Sequence, residues 1–324
     1  SGVQSPEVEF GDFYNAPEAV LHELASPFTI SLANALVPSQ WKTAWITPLF
    51  KKTGDPRDAT NWRPIAITSV IARTFERVVA ARLEEKLTLA TPPQQAAYQK
   101  HRSLQEHLSV LLHAGAEALA VKSFRVVASV DLHKAFDRIW IRGLLYKLSK
   151  VDAQPGYFRW IEPYLRDRTY AVQWRGALSE PFCARAGILQ GGPLSSSFFN
   201  IMVADLPGVC HDTVPVQDAD DHILIARSIG SRGAAQIQAA LNNAFRHFRN
   251  WRMSISEPKS CVLLIHAANR SPPVLRFTLN GFTLKQVASL TYLGVLIDQH
   301  LSFRPQLSAF KAKAGRLKGY LKVV

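Results

Sequence analysis

Three aspartates lie at the ends of segments that are otherwise apolar, and they limit the possible folds of this chain more than any other feature. Asp131 ends one apolar run, and Asp220 and Asp221 separate two short apolar segments. A carboxylate at the end of a buried strand is costly unless a cation pairs with it. The sequence therefore predicts a strand at 125–131 and a β-hairpin at 214–226, with carboxylates at the strand ends.

These aspartates have two possible explanations. Asp is common in turns, and an Asp after a strand often caps the next helix. Alternatively, hard divalent cations such as Mg²⁺ bind one or two carboxylates together with substrate phosphates, and two such ions can support phosphoryl transfer. Both interpretations stay open on these residues alone.

The charge distribution indicates a polyanionic partner. Lys and Arg number 38 against 25 Asp and Glu, giving a net charge of +13. The first 40 residues have five acidic residues and no Lys or Arg, whereas residues 301–324 have six Lys and Arg and no acidic residue. Nucleic acid is the first candidate, and the alternative is a basic surface without that role. The three widely spaced cysteines argue against a disulfide framework or a structural zinc and favour a reducing interior.

The hydrophobic periodicity predicts an α+β fold, because helices and strands are interspersed without regular βαβ alternation. Helices are expected at 17–37, 71–87, 139–150, 157–166, 194–206 and 235–253, and from 103 and 307 onward. Further strands are expected at 44–52, 63–69, 169–174, 261–265, 275–279 and 291–297. No apolar run approaches the roughly 18–20 residues that cross a bilayer, so no membrane partner is expected.

Two further segments carry residues suited to phosphate chemistry. Gly187–Ser195 is a glycine-punctuated loop that enters an apolar helix, and glycine lets backbone approach a ligand closely. Arg63 begins a predicted strand, with Lys51 and Lys52 across the preceding loop, and this set could clamp a triphosphate. An ordinary loop-to-helix junction and a solvated hairpin edge remain the alternatives.

Taken in order, these segments resemble the motifs of the reverse transcriptase domain of non-LTR (LINE-type) retrotransposons. Ser129–Asp137 resembles motif A, Gly187–Asn200 motif B, Asp218–Asp221 motif C, Glu257–Ser260 motif D and Tyr292–Asp298 motif E, while Trp41–Leu83 and Gln95–Leu104 resemble the fingers segment and the motif after it. The matches run in family order from about residue 20 to 320, which makes the set far more specific than any single motif.

The resemblance implies a right-hand polymerase fold. The expected domains are an N-terminal helical extension at 1–40, fingers at 41–125, a catalytic palm at 126–300 and the start of a thumb at 301–324. It also implies other domains of a parent polyprotein, including an endonuclease that is expected to be absent here. The expected location is intracellular, in the nucleus or in a cytoplasmic ribonucleoprotein.

The resemblance further implies RNA-directed DNA synthesis at two Mg²⁺ ions, with Mn²⁺ as a possible substitute. Asp131 and Asp220 would bind the metals and Asp221 would support them. A DNA primer 3′-hydroxyl, annealed to an RNA template, would attack the α-phosphate of a dNTP. Lys259 would protonate the leaving pyrophosphate.

Roles in nucleotide and primer binding are also implied. Arg63, Lys51 and Lys52 would contact the triphosphate, Phe136 would act as a steric gate under the sugar, Gln190 and Gly191 would line the nucleotide and template pocket, and Leu293 and Gly294 would place the primer end. Asp137 is ambiguous, because RNA-dependent RNA polymerases use an Asp at this spacing to read a 2′-hydroxyl. Its sequence context favours the reverse transcriptase.

The chain departs from the family pattern at four positions. Asp218 replaces an aromatic, Gln99 replaces a frequent basic residue, and Gly192 and Ser196 replace residues usual in motif B. None of these changes removes an expected metal ligand. Two alternatives are therefore retained: a catalytically degenerate domain that only binds nucleic acid, and a group II intron-type maturase.

Overall fold

The computed structural model describes residues 18–52, 54–100, 102–151 and 155–321. Part of the predicted extension (1–17), Thr53 of a predicted loop and the end of the predicted thumb (322–324) lie outside the described residues. The chain divides into two compact units. One contains the residues up to Thr91 and Phe136–Met202, and the other contains Pro92–Ala135 and the residues from Val203 onward.

Helices and strands alternate irregularly along the chain, as expected for an α+β protein. The helices are α1 Glu18–Asn34, α2 Ser39–Lys42, α3 Val70–Leu89, α4 Leu104–Ala120, α5 Ile141–Leu148, α6 Pro155–Leu165, α7 Ser195–Val203, α8 Leu206–Val209, α9 Gly230–Asn250 and α10 Arg304–Leu321. The strands are β1 Thr43–Phe50, β2 Trp62–Thr68, β3 Phe124–Asp131, β4 Thr169–Trp174, β5 Ala177–Leu178, β6 Phe182–Cys183, β7 Thr213–Asp218, β8 Asp221–Ala226, β9 Cys261–His266, β10 Thr278–Leu279, β11 Phe282–Thr283, β12 Lys285–Val287, β13 Ser289–Tyr292 and β14 Val295–Asp298. None of the helices in the described ranges has the length and apolar character needed to cross a bilayer.

The first unit is built on a five-stranded sheet in the order β2-β1-β4-β5, with β6 paired to β4. β1 and β2 are antiparallel, whereas β1 and β4 are parallel. The loop after β1 is closed by the Lys51 N–H, which donates to the Asn61 carbonyl at 2.9 Å. Lys51 and Lys52 therefore lie at the end of the sheet where β2 begins, close in the fold to Arg63.

An aromatic cluster holds three helices of this unit together. Phe75 of α3 stacks on Phe28 of α1 with ring centroids 4.6 Å apart, and it meets the ring of Trp160 of α6 edge-on at 5.1 Å. Trp41 lies 5.3 Å from Phe75. Large buried rings contribute much of the apolar area in a core. These contacts therefore fix α1, α3 and α6 relative to one another.

The second unit is built on a sheet in the order β12-β9-β3-β8-β7. β3 is its central strand and runs antiparallel to both β8 and β9. Helices α4 and α9 pack against it, and Leu111 of α4 joins Val127, Ile225 and Leu263 in one buried cluster. The buried guanidinium of Arg125 donates to the carbonyls of Ala114, Ala226 and Arg227, which ties α4 to the ends of β3 and β8.

The α+β class is confirmed, as are the strand predicted at 125–131 and the hairpin predicted at 214–226. The single strand predicted at 291–297 is wrong. The chain turns back at Leu293 and Gly294, with φ of 52° and 76°, and β13 pairs with β14 as a hairpin. Two consecutive residues with positive φ suit a two-residue hairpin turn, and the apolar flanks concealed it. The predicted division into extension, fingers, palm and thumb remains a prediction.

Candidate active site

The end of the second unit's sheet carries a cluster of aspartates. Ala219 and Asp220 form the turn between β7 and β8, and Asp218 pairs with Asp221 across it. Asp131 lies opposite Asp221 in the register of β3 and β8. Residues paired across strands point to the same face of a sheet, so Asp131, Asp221 and Asp218 form one row. The structure therefore brings together the three carboxylates predicted from the sequence and adds Asp218.

Desolvation and mutual repulsion both disfavour the charged forms of the carboxylates in this row. Desolvation, followed by the charges of Asp220, Asp218 and Asp131, raises the pKa of Asp221 to about 6. Desolvation and Asp220 also raise the pKa of Asp218. Within the described ranges, no Lys, Arg or His forms an ion pair with Asp218, Asp220 or Asp221. A cation bound here would relieve this repulsion.

The donor set fits a hard divalent cation in chemistry, since carboxylate oxygens are the ligands such ions prefer. As the side chains are placed, however, the described part of the chain contains no group of three or more His, Cys, Asp or Glu residues that could hold a metal ion. The predicted ligands Asp131, Asp220 and Asp221 thus share one sheet end without forming a closed cage.

The side chain of a buried glutamine, Gln95, is hydrogen-bonded to the turn between β7 and β8. The Gln95 Oε1 accepts the Ala219 N–H at 3.1 Å and also the Ala97 N–H at 3.1 Å. The surrounding backbone extends β7, because the Gln217 N–H donates to the Gln94 carbonyl at 2.8 Å. Ala219 has φ of 52°, a conformation that costs a non-glycine residue roughly 1 kcal/mol or more. Gln95 carries no sequence signal that predicts this contact.

The segment predicted as motif D holds the backbone of Asp131. The Asp131 N–H donates to the Ser260 Oγ at 3.2 Å, and its carbonyl accepts the Ser256 N–H at 2.7 Å. The Lys259 side chain is exposed in the same segment. The predicted proton donor Lys259 therefore belongs to the loop that positions Asp131.

Two tyrosines border the aspartate row. Tyr292 is buried, and burial, together with Asp218 and Asp221, raises its pKa. It directly precedes the turn that carries the predicted primer-grip residues Leu293 and Gly294. Tyr98 is 57% exposed with φ of 58°, and desolvation, Asp220 and Asp218 raise its pKa.

The loop predicted as motif B lies in the first unit and is held by side chains. The Gln190 Nε2 donates to the Asp137 Oδ1 at 2.8 Å, and its carbonyl accepts the Ala66 N–H at 2.9 Å. The buried Glu76 accepts the Leu194 N–H at 3.1 Å, just before α7 begins. The predicted nucleotide-pocket residue Gln190 is therefore tied to β2 and to Asp137, and Gly191 follows it in the same loop.

Gly192, a departure from the family pattern, has a local structural reason. A Cβ at this position would lie 2.8 Å from the Ser195 Oγ and 2.9 Å from the Glu76 Oε1. A larger residue would therefore require the Glu76 carboxylate and the Ser195 hydroxyl to move. Nothing in the structure explains Ser196.

The other predicted nucleotide-binding residues of this unit fall into two groups. Phe136 opens a short 3₁₀ turn, Phe136–Arg138, whose Asp137 contacts Gln190. Arg63 is exposed on β2, and Lys52 is exposed in the β1–β2 loop. The Lys51 Nζ donates to the Thr60 carbonyl at 2.8 Å, so its ammonium group already has one partner within the loop.

Comparisons with known proteins agree with these motifs. Residues 50–297 match the family model described as "Reverse transcriptase (RNA-dependent DNA polymerase)". The probable RNA-directed DNA polymerase from transposon BS of Drosophila melanogaster is 29% identical over 304 residues, covering 90% of this chain and 33% of that protein. The RNA-directed DNA polymerase from mobile element jockey of the same species is 27% identical over 317 residues, covering 93% of this chain and 34% of that protein. The chain thus spans about a third of these relatives.

Solved structures with a similar fold include the telomerase of Candida tropicalis. In complex with a fragment of telomeric RNA it gives a TM-score of 0.55 at 14% identity, over 87% of this chain and 47% of that one. Its apo form gives a TM-score of 0.53 at 12% identity, over 87% of this chain and 52% of that one. At these identities the likeness concerns the fold alone, and it confirms the polymerase fold. The chain belongs to the reverse transcriptase (RNA-dependent DNA polymerase) family and is a reverse transcriptase domain of the non-LTR retrotransposon type.

Proposed function

We propose that this chain is the polymerase core of an RNA-directed DNA polymerase, which transfers a nucleotide from a dNTP to a primer 3′-hydroxyl. The aspartate row carries the proposal. Asp131 and Asp221 lie opposite one another on neighbouring strands, and Asp220 lies in the adjoining turn. Phosphoryl transfer depends mainly on positioning and on charge stabilisation, and this row provides a fixed set of carboxylates that would hold the cations needed for both.

Membership of the family implies dependence on a divalent metal ion, and we assign Mg²⁺, with Mn²⁺ as a substitute. Asp131 and Asp220 would hold two metal ions, with Asp221 beside them. The metal would neutralise phosphate charge and lower the pKa of the primer hydroxyl. The mutual repulsion of these carboxylates supports this assignment, because a cation bound beside them would relieve it.

The remaining roles concern the substrates. Arg63, with Lys51 and Lys52, would bind the triphosphate, since guanidinium and ammonium groups donate to phosphate oxygens. Lys259 would give a proton to the pyrophosphate oxygen as it leaves. Phe136 would lie under the dNTP sugar, Gln190 and Gly191 would line the pocket, and Leu293 and Gly294 would place the primer end.

We propose an RNA template and a DNA primer as the nucleic-acid partners. The curated relatives are named RNA-directed DNA polymerases, and the chain carries a net charge of +13. The exposed Lys311 and Lys313 of α10 suit contacts to backbone phosphates, which bind independently of sequence and weaken with salt.

The test is extension of a DNA primer annealed to an RNA template, with dNTPs and Mg²⁺ or Mn²⁺. We expect metal-dependent extension that Asp220→Ala abolishes. Asp212→Ala is the matched control, because Asp212 is an exposed aspartate just before β7 and outside the row. Salt-sensitive template binding without extension, unchanged in Asp220→Ala, would instead identify a nucleic-acid-binding domain.

A further inference from the structure

The ring of Phe136 is supported from one side by a second phenylalanine. Phe199 of α7 stacks on it with ring centroids 4.6 Å apart and an interplanar angle of 15°. Phe199 is completely buried, whereas Phe136 is only partly so. The stack therefore leaves Phe136 with one supported face and a remaining surface open to a ligand.

The backbone around Phe136 is fixed by the loop that precedes α7. The Phe136 carbonyl accepts the Ile188 N–H at 2.9 Å, and the Gly187 N–H donates to the Ile139 carbonyl at 2.9 Å. Gly187 has φ of 93°, and a Cβ there would lie 2.7 Å from the Asp137 carbonyl oxygen. Only glycine allows this close approach, so the turn that carries Phe136 has little freedom to shift.

The side chain of Asp137 is also held. Its Oδ1 accepts the Gln190 Nε2 at 2.8 Å, which gives it a structural partner and makes it part of the same support. Because the backbone of this turn is held, the motions left to Phe136 are rotation and displacement of its side-chain ring. The stacked ring of Phe199 opposes both motions.

We infer that Phe199 is a positioning residue that fixes the Phe136 ring and thereby sets the preference for deoxynucleotides over ribonucleotides. The inference rests on the proposed function, in which Phe136 lies under the sugar. Steric exclusion of a single hydroxyl requires that the excluding group hold its place to within about 0.5 Å. A ring that can tilt would admit the ribose of an rNTP and would still accept the deoxyribose of a dNTP.

The experiment compares dNTP and rNTP incorporation by the same preparation of each variant, as the ratio of their kcat/KM values. Phe199→Leu should lower this ratio by about 2- to 10-fold, the range that corresponds to loss of an aromatic pair. Phe136→Ala should lower it by about 10-fold or more. Phe198→Leu should leave the ratio unchanged, because Phe198 is its equally buried neighbour on α7 and has no ring contact with Phe136.

The possible outcomes separate the inference from the proposed function. If Phe136→Ala relaxes the preference and Phe199→Leu does not, the inference is wrong and the function stands. If the parent chain incorporates no dNTP with Mg²⁺ or Mn²⁺, and binds dNTP and rNTP equally in Ca²⁺, the inference about Phe199 and the proposed function are both wrong. Phe199→Met, which fills a similar volume without a ring, replaces Phe199→Leu if the latter fails to fold. Because both substrates are measured on one sample, a reduced folded fraction does not change the ratio.

Discussion

The side-chain oxygen of Gln95 accepts the backbone N–H of Ala219 at 3.1 Å, in the turn that carries Asp220. Gln95 is fully buried. Its amide thus links the segment before α4 to the carboxylate turn, and it holds Ala219 in a conformation that is unfavourable for a non-glycine residue. The geometry of the proposed catalytic residues therefore depends on a residue that carries no charge.

Replacing Gln95 should impair catalysis more than template binding. Gln95→Leu leaves the buried Ala219 N–H without an acceptor, which costs about 1–3 kcal/mol and loosens the turn. Small misplacements of reacting groups lower rates by up to about 100-fold. We expect the kcat for primer extension to fall at least about 10-fold with little change in template affinity.

Gln94→Leu is the control for this variant, because the Gln94 side chain makes no hydrogen bond with other described residues. Equal losses of activity in both variants would show that the hydrogen bond to Ala219 has no special role.

Neutralising Asp218 should ease the repulsion in the aspartate row. The charge of Asp218 contributes to raising the pKa of Asp221 to about 6, and like charges on paired strands are destabilising. Asp218→Asn should therefore lower the pKa of Asp221 in the metal-free chain. Carboxyl titration by NMR measures this shift, and an Asp221 pKa that stays at about 6 would contradict it.

The same change should affect stability in a pH-dependent way. Both carboxylates have raised pKa values in the folded chain, so their repulsion destabilises it as the pH rises above their ordinary value of 3.8. Asp218→Asn should stabilise the chain at pH 7 by up to about 1 kcal/mol and should have less effect at pH 4. Urea unfolding at the two pH values tests this, with Asp212→Asn as the control.

Glu76 should make stability fall as the pH rises. Burial is the largest influence on its carboxyl and raises its pKa above the ordinary value of 4.5. The folded chain therefore binds this proton more tightly than the unfolded chain, and the stabilisation is complete below pH 4.5 and is lost as the pH rises through the folded pKa. Glu76→Gln, which can still accept the Leu194 N–H, should flatten this dependence. Parallel stability profiles for the two proteins would contradict it.

Asp298 should be needed to order the start of α10. Although burial acts in the opposite direction, hydrogen bonds from the N–H groups of Ser302, His300 and Phe303 and from the Ser302 hydroxyl hold its pKa below 3.8. Asp298→Ala leaves these donors without their acceptor, at a cost of about 2–3 kcal/mol. We expect faster amide hydrogen exchange at 300–310, and unchanged exchange there would contradict the role of Asp298.

The parts of this fold that could be predicted from sequence are those with local signals. The two short apolar segments that flank Asp220 indicate a hairpin, and the apolar run before Asp131 indicates a strand. The polar contacts that fix the site are not local. Gln95 lies 124 residues from Ala219, and Glu76 lies 118 residues from Leu194, and neither pairing leaves a periodic pattern. The hairpin at Leu293 was missed because its turn interrupts an apolar run for only two residues.

Single-nucleotide extension of a DNA primer on an RNA template tests the proposed function most directly. The parent chain, Asp131→Asn and Asp220→Asn should all bind the primer–template with similar affinity. Only the parent should add a dNTP, and only with a divalent metal ion present. Extension that survives both substitutions would contradict the assignment of catalysis to the aspartate row.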